Sequence, residues 1–538
     1  MRPYAAEEKS LLRSSLTASV IVFCFLVAAK LLNFLKKVLI GQLFGVSRTA
    51  DAFFAASYLP YYFAIFFEGI LFLVFLPLFS QVHAEKGKES ANRLAAEIFI
   101  FLFFMTGLFA ALAVWAAPWL VRQLVPGFSP PDRDLTCALL RILSLVFVLT
   151  SLTSLFKALN SYFEQYAWAA SAPLVDTLVM IPMTLFFWKQ AGIWAAAWGS
   201  VAGAGTIFLQ QFIFFLRTRF ALPKQRGSRE FWFGKIFALL IPMGAIWGFQ
   251  QIPMVILNRF GSGMWQGTIS SLTIALTLVT VPMGLVSHTV LFAIFPSLTK
   301  QAADAAGSAK EIFFRTLRGG FLILIPAGFL LTVFARPVAA LLFSGGGIWE
   351  EGTRRIANSL ACFGWAASVL YADLFMTQSL IAVRRTLPAI FLCATRAILT
   401  YGFGYFLSSW WDYQGLALSF SLALGVNFLV LFPWVLKGSP FRGGWKELFT
   451  YSGKLVLASS PVFLMLKIVN RWYVSDWVKL PKVVLALGLC GAVCLFLVFY
   501  LWGLARLKVR EMNSLSQRLK QGFIRKSWWL AGSTDEGV

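Results

Sequence analysis

Apolar runs of about 20 residues recur from one end of this chain to the other, and that recurrence decides what it can become. At 1.5 Å of rise per residue, a helical run of that length crosses a hydrocarbon core roughly 30 Å thick. In hydrocarbon every backbone N–H and C=O must find its partner within the protein, which leaves helices or a closed barrel. The runs lack the period-two alternation of barrel strands, so they predict helices. By length and by Gly and Pro breakers, about fourteen spans fall near residues 15–45, 49–82, 94–122, 135–163, 169–188, 191–217, 232–257, 267–298, 314–343, 355–381, 387–408, 413–436, 447–469 and 480–506. Composition agrees: 59% of the 538 residues are hydrophobic and 13% are charged, against about 25% charged in soluble proteins. The expected fold class is all-α, a polytopic membrane protein. The opening "MRPYAAEEKSLLRS" is polar, and the run after it lacks a small-residue cleavage site, so no cleaved signal peptide is expected.

Loop charge orients the spans. Loops on one side, such as "GVSRT", "KQAG" and "SSWWDYQG", are poor in Lys and Arg. Those on the other, such as "HAEKGKESANR", "RTRFALPKQRGSREF" and "KGSPFRGGWK", are rich, as is the tail after residue 506. Both termini are therefore expected in the cytoplasm, with Arg354 and Arg355 as mild exceptions on the outer side. The net charge of +24 is accounted for in the same way. No basic cluster sits on a soluble domain, so nucleic acid is not an expected partner. The basic stretch 217–231 divides the chain into an N-terminal lobe (1–220), a linker (221–231), a C-terminal lobe (232–440), two further helices (441–510) and a cytoplasmic tail (511–538). Weak similarity between the halves is a transporter trait. Pro60, Pro253, Pro282 and Pro326 interrupt spans and suggest helices that bend around a cavity.

The first hairpin carries charges that a bilayer penalises by roughly 2.5–3.5 kcal/mol each. Lys30, Asn33 and Lys37 are spaced to share one helix face, with Lys36 adjacent. Asp51 and Glu68 follow in the second span. The hairpin could pair Lys30 with Glu68, and Lys36 or Lys37 with Asp51. Three cations against two anions leave a surplus, and a spare cation in a cavity asks for an anion such as phosphate. These six residues are the candidate substrate-binding set. Further intramembrane polar groups include Lys157, Asp176, Asp373, Arg396 and His288. An Asp373–Arg396 pair is expected to be structural, and His288 to be a satisfied bundle histidine rather than a proton relay.

Chemistry beyond binding finds no support. With two histidines and no nucleophile elbow, P-loop or metal-ligand spacing, the chain is expected to be no enzyme and to hold no cofactor or metal. The six cysteines mostly lie in apolar runs and read as packing residues. "SGGGIWEEG" (344–352) lacks a P-loop ending and reads as an outer loop. Transport must then run on an ion gradient, on membrane potential or on downhill flux.

Several segments resemble the MurJ/MviN family, lipid II flippases of the wider MOP exporter superfamily. They include "GQLFGVSRTADAFFAASYLP" (41–60), "FFEGILFLVFLPLFSQ" (66–81), "LFKALNSYFEQYAWAASAPLVDTLVMI" (155–181), "PMGLVSHTVLFAIFPSLTK" (282–300), "RPVAALLFSGGG" (336–347), "AVRRTLPAI" (382–390) and "FYLWGLARLKVREM" (499–512). The resemblance implies two six-helix lobes around a V-shaped cationic cavity, with two C-terminal helices forming a groove for a lipid tail. It places Lys30 and Lys36 where the family has cavity arginines, and Asp51 and Glu68 on its acidic positions. Arginines of the family fall here near Ala64 and Ile65, and at Thr277. Where some members bind sodium, Leu257 or Asn258 and Arg396 stand, so a fixed cation is expected to replace the ion.

The expected function is a flippase in the bacterial cytoplasmic membrane for an undecaprenyl-pyrophosphate-linked glycan, lipid II foremost. Its partners would be membrane lipid and that substrate, and it would act as a monomer. The alternatives are an exopolysaccharide or O-antigen flippase, an antiporter of the same superfamily, a membrane glycan polymerase or ligase, and a non-transporting scaffold. An antiporter would favour acidic cavity residues. A polymerase or ligase would need a catalytic set in a sizeable outer loop, which the sequence lacks.

Overall fold

The computed structural model describes residues 24–25, 27–217, 233–304, 306–343, 350–437, 439–441, 443–473 and 481–507, with side chains omitted at 70, 73, 231–240, 288–308, 462 and 464–473. The linker 221–231 and the tail 511–538 lie outside the described residues. The described chain is all-helical, as hydrocarbon requires.

The first helix, α1 (27–44), ends at Gly45, whose φ of 70° closes it with a bond from its N–H to Gly41 O. Ser47 then caps α2 (Arg48–Ile70), its hydroxyl accepting from Ala50 N. Pro60 lies within α2, which runs on through a π-helical turn, Leu71–Phe75, into α3 (Leu76–Trp115). The polar stretch expected as a loop near residue 87 is helical on both sides of a single break at Gly87 (φ 78°). After these come α4 (Ala117–Leu124), α5 (Pro130–Tyr162), α6 (Tyr166–Ala191) and α7 (Ile193–Arg217). The second half holds α8 (Phe233–Ser262), α9 (Thr268–Asp304), α10 (Ala306–Val333), α11 (Ala335–Phe343), α12 (Glu350–Phe363), α13 (Ala366–Ala382) and α14 (Thr386–Val426). A second π turn (Asn427–Leu431), α15 (Phe432–Leu436), α16 (Trp445–Tyr473) and α17 (Lys482–Arg506) complete it.

Among the described residues, eight helices are long and apolar enough to cross a membrane, or nine if α12 and α13, bent by 54°, form one span. Most of the difference from fourteen has visible causes, although α2, in the second expected span, is also not among the eight. One of the eight, Thr386–Leu436, contains both the eleventh and twelfth expected spans, which meet at the break Trp411–Asp412. The first, seventh and thirteenth expected spans run into residues or side chains that are not described.

The helices pack as two bundles. Helices α2, α3, α5, α6 and α7 contact one another, and so do α8, α9, α10, α12, α13 and α14; α16 lies on α10, and α17 on α16. Each bundle has an apolar core of its own, one around Phe79 and Phe156 and the other around Phe313 and Tyr371. A third core is shared: Ile40, Phe53 and Leu143 from the first bundle pack with Ile269, Leu272 and Leu416 from the second. It joins the bundles at the end where α1 turns into α2.

Candidate functional site

At that joined end, the Asp51 carboxylate is fully buried and accepts two backbone bonds, from Gly267 N and Ser270 N, each 2.7 Å long. These N–H groups lie at the start of α9, where a helix has orphan donors and a partial positive charge. Asp51 therefore caps α9 from the other bundle. The Arg48 guanidinium, 3.9 Å from Asp51, donates to Ser262 O and Met264 O across the same joint. Close approach depends on glycine: a β-carbon on Gly267 (φ 86°) would lie 2.3 Å from Val46 Cγ1, and one on Gly127 2.4 Å from Gly263 Cα. The expected pairing of Asp51 with Lys36 or Lys37 is not formed, because backbone donors take both carboxylate oxygens.

The three lysines of α1 part company. Lys36 Nζ lies 2.9 Å from Asp176 Oδ2 of α6 and donates to the Tyr61 hydroxyl at 3.3 Å. Lys37 donates to Thr277 Oγ1 of α9 at 3.0 Å. Lys30 runs beside Gly284 of α9, its Nζ 3.7 Å from where a β-carbon would stand. Glu68 is bonded instead to Lys157 of α5 and acts on Lys30 only at longer range. The expected Lys30–Glu68 contact is therefore corrected: Lys157, on the packed neighbour α5, holds the Glu68 carboxylate instead. Asn33, expected on the lysine face, is exposed and joins none of these contacts.

Two ammonium groups, Lys30 and Lys37, are thus without a carboxylate partner among the described residues. Their positions match across the seam between the bundles. Lys30 and Lys37 are seven residues apart on α1, as Gly284 and Thr277 are on the antiparallel α9. Seven residues of helix rise about 10.5 Å. Thr277 matters because a hydroxyl holds an ammonium more weakly than a carboxylate would.

In the second bundle, Arg396 of α14 pairs with Asp373 of α13 and donates to Gln250 O of α8 at 2.8 Å. Both side chains are almost fully buried, so the pair ties three helices inside one bundle. His288 lies on α9, but its side chain is outside the described residues. The paired Arg354 and Arg355 both bond Glu351 one turn earlier, which offsets their charge on that side. Sequence reasoning noted Asp176 and Lys157 but gave them no partner. Their separation from α1 and α2 in the chain offers no local signal for the pairing.

Comparison with known proteins places the chain as a whole. The family described as "MurJ: Lipid II flippase MurJ" matches residues 40–483. A probable lipid II flippase MurJ of Rhizobium meliloti is 23% identical over 500 residues, covering 88% of this chain and 90% of that protein. A lipid II flippase MurJ of Burkholderia cenocepacia is 23% identical over 463 residues, covering 84% and 89%. Among solved structures, a lipid II flippase MurJ in an inward closed conformation superposes with a TM-score of 0.74 at 17% identity, covering 91% of this chain and 99% of that one. An inward-facing multidrug resistance MATE transporter of the MOP superfamily gives 0.63 at 12% identity, covering 79% and 96%. The two structural likenesses concern the fold.

Proposed function

The chain belongs to the lipid II flippase MurJ family, and from that premise we propose that it moves an undecaprenyl-pyrophosphate-linked glycan, lipid II foremost, across the bacterial cytoplasmic membrane. The observation that carries the reading is the pair of uncompensated ammoniums, Lys30 and Lys37, on the seam between the bundles. With the seam open toward the cytoplasm, the two lysines take the pyrophosphate, and the lipid tail stays in the bilayer beside α16 and α17. Closure on that side and release of the Asp51 joint on the other then turn the headgroup outward. Membrane potential contributes about 2.3 kcal/mol per charge per 100 mV. Both termini sit in the cytoplasm, following the loop charges. No covalent step is needed.

An antiporter would favour acids at this seam, whereas here the unpaired groups are basic. The test is rescue of cells depleted of their own lipid II flippase by the wild-type chain, Lys30→Met, Lys37→Met and the double variant. Rescue by wild type and failure of the double variant, at matched membrane levels, supports the reading. Equal rescue by all four removes these lysines from the mechanism.

A further inference from the structure

Lys36 and Lys37 are adjacent, yet one is given a carboxylate and the other a hydroxyl. We propose that Asp176 is a resident counter-anion that limits how tightly the lysine cluster holds a diphosphate headgroup, and so sets its release. This inference rests on the function proposed above.

Three observations support it. First, the Lys36–Asp176 pair is more open than the Arg396–Asp373 pair, chiefly on the carboxylate side: the Asp176 side chain is 21% exposed against 8% for Asp373, while Lys36 is buried. Second, Asp176 is anchored to its own bundle. A β-carbon on Gly203 of α7 would lie 2.5 Å from Asp176 Oδ1, so that oxygen occupies a notch only glycine provides. The carboxylate stays on α6 and α7 while Lys36, on a flexible stem, is free to turn from it toward a ligand. Third, the charges match. Glu68 is taken by Lys157, so Asp176 offsets one of the three α1 lysines and leaves two positive charges for a doubly negative pyrophosphate diester. Without Asp176 the surplus would trap the headgroup: binding strengthened equally at every stage speeds nothing and slows departure.

The experiment uses the full chain in nanodiscs, with inorganic pyrophosphate as the probe and calorimetry as the readout. Asp176→Asn is expected to bind pyrophosphate at least fivefold tighter than wild type, with steeper loss in salt, and to flip lipid II more slowly in vesicles. Equal or weaker binding overturns the proposal, since a carboxylate that merely held Lys36 in place would lower affinity when removed. If Asp176→Asn fails to fold, Lys36→Gln and the double variant Lys36→Gln/Asp176→Asn decide: the double should bind at least fivefold tighter than the single, and equality overturns the proposal. Absence of any pyrophosphate binding by wild type overturns the function itself and this inference with it. Wild-type binding with no effect of Asp176→Asn overturns the inference alone.

Discussion

Asp51→Asn should loosen the joint between the bundles while leaving each bundle folded. The native carboxylate accepts from Gly267 N and Ser270 N at 2.7 Å, in full burial, at the positive end of α9. A bond to a charged acceptor contributes about 1.5–3 kcal/mol, and a buried orphan donor costs about 1–3 kcal/mol. Asn keeps one accepting oxygen but turns an NH2 group toward the second backbone donor. One charge-assisted bond is lost and the other loses its charge, for about 2–4 kcal/mol in all. At 1.4 kcal/mol per tenfold, the open-to-closed ratio should rise roughly 30- to 700-fold. Spin labels at Arg122 of α4 and Trp265 before α9, in a cysteine-free background, report the joint by pulsed dipolar distance measurement. Both sites are exposed; α4 packs chiefly on α5 of the first bundle, and Trp265 lies between α8 and α9 of the second. Wild type should give one short population, and Asp51→Asn a second, longer one. An unchanged distance distribution in a folded Asp51→Asn protein would refute the claim that this cap holds the bundles together.

Two further outcomes follow from the same geometry. Gly267→Ala should open the same joint, because its φ of 86° is strained for alanine and its β-carbon would overlap Val46; the same label pair measures it. Arg396→Leu should cost about 3–5 kcal/mol by leaving Asp373 buried and unpaired, seen as a fall in thermal unfolding temperature, and Arg396→Leu/Asp373→Leu should recover most of it.

Much of the fold was legible because hydrocarbon imposes one rule on every span, and apolar length reports it directly. The limits of that rule show at α3 and α14. The stretch around Gly87 is polar enough to read as a loop, yet a helix satisfies its own backbone whether water or lipid surrounds it, so the helix continues past the lipid boundary. The lysines of α1 were legible as a costly cluster. Their partners were not, because Asp176 lies 140 residues beyond Lys36, and Lys157 lies 89 beyond Glu68. Those contacts depend on how whole helices rotate and cross, and no local pattern records that. The partners of Asp51 were missed for a related reason: an acid beside three cations invites pairing with them, while the bare N–H groups at the start of α9 leave no mark in side-chain chemistry.

The matched seven-residue spacing on α1 and α9 restricts how the charged seam can move. Sliding one helix along the other by a turn would carry each ammonium past its present neighbour, out of register with both. Separation sideways keeps the register, and with the bundles joined at the α1–α2 turn it opens like a hinge, uncovering Lys30, farther from that turn, before Lys37. On the function proposed here, a cargo at this threshold would meet Lys30 first and Lys37 second.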